Sequence, residues 1–364
     1  MRRRLKRWLS EPATLKRNTK AKCMKRSLTL VTAAFFALAV QMPQAMSADL
    51  RLTGSGASFP FPLYSAWFKD FSKKTEGVTI DYQAKGSGAG IQDLINNTVD
   101  FAASDAAMTP EQIAKVERGV VLLPMTAGEI VLAYNLPGSP KNLKLPRDVY
   151  PDIFQGKITN WNDARIAKAN PDLKLPDLPI TVVRRSDSSG TTFVFTKHLS
   201  AISPSFKETV GTGTSVQWLN SDKIVAAPKN DGVTATIKQT PGAIGYIEWG
   251  YAKLTKADTA LLQNKAGKYI APGGKGGPIA LAGAKFPEDL IVWVEDPAEA
   301  EAYPIVSFTW MLFYKTQDAP KGEYLRKMVN YGLTDGQKIA ESMGYIPLPA
   351  SVIEKVKAAS AKIQ

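Results

Sequence analysis

Across 364 residues there is one cysteine, Cys23, and one histidine, His198. Disulfides are thereby excluded, as are clusters of Cys and His at metal-binding spacing. No Gly-x-Ser-x-Gly nucleophile elbow occurs, and no Walker A sequence. The loops starting at Gly54 and Gly86 place Phe59 and Ile91 where a dinucleotide fingerprint needs its third glycine. Charge is missing altogether between Ser27 and Ser47, and the apolar run inside that gap, Leu28 to Val40, is too short to cross a bilayer.

The charge that is present is unevenly placed. Lys and Arg outnumber Asp and Glu by 46 to 33, but residues 1 to 26 hold 11 of the basic side chains against Glu11 alone. The remainder carries 35 basic and 32 acidic residues, which removes the ground for a nucleic-acid-binding surface. A basic stretch, an uncharged apolar run and small residues at Ala45, Ser47 and Ala48 have the layout of a secretory signal peptide. Residues 1–47 are therefore expected to be removed, with the mature chain starting at Ala48 or Asp49. Met24-Lys25-Arg26-Ser27 would make a compact leader, so Met24 is the expected true start. Cys23 precedes the apolar run, where it cannot be a lipoprotein's lipid-attachment cysteine and leaves the mature chain no thiol nucleophile. A soluble exported protein is expected.

The mature chain alternates strand and helix patterns, which predicts an α/β fold with mostly parallel sheets. Leu50 to Gly54, Val78 to Gln83, Val99 to Ala103, Gly128 to Asn135, Ile180 to Arg185 and Tyr303 to Tyr314 read as strands. Tyr64, Trp67, Phe68 and Phe71 recur at helical spacing behind Pro60 and Pro62, as the core face of a helix. Ile91, Leu94 and Ile95 mark a second helix, Thr109-Pro110-Glu111-Gln112 a capping box, and a third helix begins near Thr192. Leu325 to Met343 and Ser351 to Lys362 read as closing helices. Trp310 and Met311 suit a core, His198 a surface or packing position, and the Lys-rich end from Lys355 a solvated face.

Three strand-loop-helix junctions share a vocabulary of Ser and Gly: residues 54 to 59, 86 to 90 and 186 to 191. A helix start leaves backbone N–H groups unpaired and carries about half a positive charge, so such junctions can cradle an anion. Any single one reads first as a capped helix. Arg185 stands just ahead of Ser189-Gly190-Thr191, where its planar fork could hold two anion oxygens and Asp187 could orient it. A surface ion pair would look the same in sequence. Asp105 would repel an anion unless the ligand carries a proton to donate, as monohydrogen phosphate does and sulfate does not. Spacing alone favours Asp105 as a cap on the turn before Thr109.

These blocks together resemble one family. Thr-Gly-Ser-Gly-Ala-Ser-Phe-Pro (53 to 60), Gly-Ser-Gly-Ala-Gly-Ile (86 to 91), Asp-Phe-Ala-Ala-Ser-Asp (100 to 105) and Arg-Arg-Ser-Asp-Ser-Ser-Gly-Thr-Thr-Phe-Val-Phe-Thr (184 to 196) are similar to the periplasmic phosphate-binding proteins of phosphate-specific Pst-type ABC transporters. Pro241 to Tyr246, Tyr303-Pro304-Ile305 and Leu348-Pro349 extend the likeness. It implies a two-domain periplasmic-binding-protein fold of type II: a hinged clamp with one domain made of residues 49–127 plus 303–364 and the other of residues 128–302. It implies that Ser58 and Phe59, Ser87, Ser189, Gly190 and Thr191 donate to inorganic phosphate. By the same likeness Asp105 accepts the phosphate proton, Arg185 grips the anion and Asp187 orients Arg185. It further implies a monomer without cofactor or metal that passes phosphate to an inner-membrane permease with ATPase subunits. A secreted phosphatase, a carrier of another oxyanion and a surface adhesion protein are the alternatives. The approach Val225-Ala226-Ala227-Pro228-Lys229 to Asn230-Asp231-Gly232 departs from the family's glycine-rich run and leaves the shape of that loop open.

Overall fold

The computed structural model describes residues 49–364; the leader and the alternative start at Met24 lie outside them. A nine-stranded sheet organises the molecule. Its edge-to-edge order is Val78–Ala84, Leu50–Gly56, Phe101–Ser104, Val306–Tyr314, Val120–Tyr134, Ala243–Glu248, Thr181–Arg185 and Ile224–Ala227, with Asp258–Thr259 added to the end of Val120–Tyr134. The outer strands on both sides pair in parallel, as the alternation of strands and helices requires. The middle is antiparallel, because two strands return through it in the opposite sense.

The central strand Val120–Tyr134 is buried along its whole length, and it is longer than the segment expected from Gly128. Pro124 interrupts the pattern in sequence, since proline lacks the N–H that a central strand uses. The structure accommodates it with a bulge in the central strand: consecutive Thr309 and Trp310 face Thr126 and Pro124, leaving Met125 as the extra residue. The central strand also changes partner along its length: Val120 to Glu129 pair with Val306–Tyr314, and Ile130 to Tyr134 pair with Ala243–Glu248. One strand thus belongs to both halves of the sheet.

Helix Phe61–Lys74 turns Tyr64, Trp67, Phe68 and Phe71 inward, all buried. Each such side chain contributes about 1.5–3 kcal/mol through the apolar area it removes from water. The closing segment differs from the single helix expected over Leu325 to Met343. It forms two, Lys321–Leu333 and Asp335–Met343, broken at Thr334. Trp67 causes no clash there only because Gly332 and Gly336 lack side chains, and its indole N–H donates to the Gly336 carbonyl at 2.8 Å. The capping box at Thr109 and the burial of Trp310 and Met311 are as expected. His198 is a packing residue, buried with Nε2 2.9 Å from the Tyr150 hydroxyl and Nδ1 2.8 Å from the Glu295 carbonyl; burial pushes its pKa down to about 4. No helix among the described residues is long and apolar enough to cross a membrane.

Candidate anion site

The junctions meet at the carboxyl ends of the parallel strands, where open α/β sheets bind ligands. Both later helices start earlier than their apolar spacing suggests, at Ser87 and Gly190, so the Ser and Gly residues form their first turns. Ser189 caps the second of these, its hydroxyl accepting from the Thr192 N–H at 3.0 Å. Ser87 Oγ accepts from the Asp105 N–H at 3.2 Å. The two starts are in contact, the Gly88 N–H donating to the Ser188 carbonyl at 3.1 Å.

Two glycines make that approach possible. Gly86 has φ +99°, and a β-carbon there would lie 2.4 Å from Asp187 Oδ2. A β-carbon on Gly190 would lie 2.4 Å from Ser87 Oγ and 2.6 Å from Asp105 Oδ2. Gly190 therefore fixes how near the backbone of one junction comes to the hydroxyl and carboxylate of the others.

Arg185 ends strand Thr181–Arg185, with its side chain only 1% exposed. Nε donates to Asp187 Oδ1 at 2.8 Å and Nη2 to Oδ2 at 2.5 Å, a two-pronged pair, while Nη1 donates to Thr191 Oγ1 at 3.3 Å. The Lys229 N–H adds a third bond to Asp187 at 2.9 Å. Burial alone would raise the Asp187 pKa, but the bonds and charge of Arg185 together with the Lys229 N–H outweigh it and hold the carboxyl below its ordinary value. The pair holds a buried guanidinium against a half-buried carboxylate, beyond what a surface ion pair provides.

Asp105 does not cap the turn before Thr109; Thr109 caps its own helix. Asp105 is 1% exposed, and its Oδ1 accepts from the Thr309 hydroxyl at 2.8 Å. Burial raises its pKa to about 7, against the opposing pull of Thr309, Arg185 and Ser87. The result is a carboxylate poised to share a proton, set beside a guanidinium and helix starts.

Ser58 and Phe59 occupy the same place by a different route. Phe59 points its ring into the core against Tyr345, with centroids 6.4 Å apart, so it can serve a ligand only through its backbone. Tyr251 and Tyr345 donate to the Ser58 and Phe59 carbonyls at 2.6 and 2.8 Å and fix the loop. Ser58 Oγ accepts from the backbone N–H and the side-chain amide of Asn230, at 3.1 and 3.0 Å.

All nine residues singled out in the sequence thus belong to one cluster. Thr309 and Asn230 complete it and were not singled out. Thr309 had a signal in its polarity within the apolar strand Val306–Tyr314. Asn230 lay in a segment whose shape was open; that segment is strand Ile224–Ala227, Pro228 and helix Lys229–Gln239, with Lys229 at φ +58°.

Two α/β halves joined through a shared strand, with a candidate anion site at their junction, place the fold in the class of periplasmic-type substrate-binding proteins. A model of the PBP superfamily domain matches residues 43–334. The chain belongs to the PstS family of phosphate-binding proteins. It is 37% identical over 312 residues to the phosphate-binding protein PstS of Pasteurella multocida, covering 84% of this chain and 89% of that one. Against the PstS of Haemophilus influenzae it is 37% identical over 311 residues, covering 84% and 91%. Among solved structures, a high-affinity periplasmic phosphate-binding protein, PfluDING, bound with phosphate, shares the fold with a TM-score of 0.71 at 21% identity, covering 85% of this chain and 93% of that one.

Proposed function

We propose that the protein binds inorganic phosphate in the periplasm and delivers it to an ABC importer. The observation that carries this reading is one buried carboxylate not committed to Arg185, Asp105, among groups that can donate: the Arg185 fork, the hydroxyls of Ser58, Ser87, Ser189 and Thr191, and the helix starts at Ser87 and Gly190. That set matches a tetrahedral anion carrying one proton. Monohydrogen phosphate would give its proton to Asp105 as a charge-assisted hydrogen bond, while sulfate would face an unpaired carboxylate.

The halves are taken to be residues 49–127 plus 303–364 and residues 128–302, a division supported by the change of strand partner between Glu129 and Ile130. Ser58, Ser87 and Asp105 then lie on one lobe and Arg185 to Thr191 on the other, so ligand contacts made across the junction favour the closed form. The closed monomer would dock on the permease, and the basic leader would direct export. On this reading the protein is a carrier, and its one histidine packs against Tyr150 and Glu295 outside the cluster.

Calorimetric titration with phosphate, sulfate and arsenate tests the reading. Phosphate should bind at least micromolar, about −8 kcal/mol, and sulfate far more weakly. Arg185→Lys should lose roughly 10- to 100-fold, the worth of about 1.5–3 kcal/mol for hydrogen bonds to a charged group. Sulfate binding as tight as phosphate would overturn the assignment.

A further inference from the structure

The hydrogen-bond inventory around Asn230 has a consequence for which anions the cradle accepts. Asn230 is fully buried at the start of helix Lys229–Gln239. Its Oδ1 accepts from the Glu248 N–H at 2.9 Å. That bond fixes the amide orientation, because the reverse would set its NH2 against the Glu248 N–H, donor on donor. Nδ2 is therefore directed at Ser58 Oγ, 3.0 Å, and Thr191 Oγ1, 3.1 Å. A hydroxyl has two lone pairs and one hydrogen. Ser58 Oγ already accepts a second bond from the Asn230 backbone N–H at 3.1 Å, and Thr191 Oγ1 a second from Arg185 Nη1 at 3.3 Å. Both hydroxyls are saturated as acceptors and have only a hydrogen left to offer.

We infer that Asn230 is a specificity-determining positioning residue: it compels Ser58 and Thr191 to act as donors, so that neither can accept a ligand proton and that proton is directed to Asp105. This deepens the phosphate reading and rests on it. Ser58 lies on one proposed lobe and Asn230 on the other, so the Ser58 hydroxyl is set as a donor only when the lobes meet. A rotatable hydroxyl that could otherwise accept from a second ligand proton is thereby denied to dihydrogen or neutral ligands, and closure itself completes the selective donor set.

The test titrates inorganic phosphate into the mature wild-type protein, Asn230→Ala, Asn230→Asp, Ser58→Ala and the Ser58→Ala/Asn230→Asp pair, with thermal melting of each. Asn230→Asp keeps the shape but replaces the donor with an acceptor that would capture both hydroxyl hydrogens. It should weaken phosphate binding at least 100-fold, and Asn230→Ala about tenfold, reversing the order that a packing role predicts. On the Ser58→Ala background, Asn230→Asp should cost at least threefold less than on wild type; an effect of added charge alone would cost the same on both. Wild type that binds while Asn230→Asp is no weaker than Asn230→Ala, or costs as much without Ser58 as with it, overturns the inference alone. Wild type that does not bind phosphate overturns the underlying reading and this inference with it.

Discussion

At the scale of single residues the site turns on one carboxyl. Asp105 is buried, its pKa is raised to about 7, and Thr309 occupies one of its oxygens. Asp105→Asn keeps the volume and removes the charge that sulfate would face unpaired. It should therefore narrow the gap between phosphate and sulfate affinities by roughly tenfold or more, about 1.4 kcal/mol per decade, while weakening phosphate itself less. Calorimetry with both anions at one pH checks this, and unchanged selectivity would remove the role assigned to Asp105. The sequence marked this residue as chemically odd, but its spacing favoured a turn cap. Only burial beside Thr309 and Gly190 separates the two.

At the scale of elements, what matters is how closely helix starts approach each other. The apolar periodicity of Ile91, Leu94 and Ile95 identified one helix, but its first turn reaches back to Ser87 because Ser and Gly carry no hydrophobic signal. The same holds for helix Gly190–Ile202. Gly190→Ala should leave that helix intact, since alanine is the better helix former. Its β-carbon would nonetheless meet Ser87 Oγ and Asp105 Oδ2, forcing the junctions apart at a cost of about 1–3 kcal/mol. The expected outcome is phosphate binding weakened by roughly 10- to 100-fold with an unchanged circular dichroism spectrum.

At the scale of the whole molecule, the change of strand partner places two acids deep inside the junction. Glu129 and Glu248 are both buried. Burial raises their pKa values to about 7 and about 8, and Glu129 adds to the rise at Glu248. Glu129 Oε2 has a partner in the Gly273 N–H at 2.6 Å, and Glu248 Oε2 in the Gly250 N–H at 2.8 Å, while Glu248 Oε1 has none. Between the ordinary carboxyl pKa near 4.5 and these values, the folded chain holds protons that the unfolded chain releases. These acids therefore make stability fall as pH rises from about 4.5 through about 8, while His198, held down at about 4, opposes them below the ordinary histidine value of 6.5. Glu248→Gln should flatten that decline without abolishing it, because Glu129 and Asp105 act in the same sense. Thermal melting of ligand-free protein from pH 5 to 8.5 should show the variant several degrees above wild type at the alkaline end and close to it at pH 5.

What the sequence determined by itself is the set of elements and the residue types at their junctions. Periodicity decides which face of a helix is apolar, and Ser, Gly, Arg and Asp carry their hydrogen-bonding chemistry wherever they stand. It also determined, through the four ordered blocks, the family. The tertiary structure decided which of those groups meet. Arg185 and Asp187 become a clamp around a buried guanidinium rather than a surface pair, Asp105 an acceptor rather than a cap, and Asn230 a fixed donor, because lone-pair saturation and desolvation arise when separate segments, some more than a hundred residues apart, are packed together.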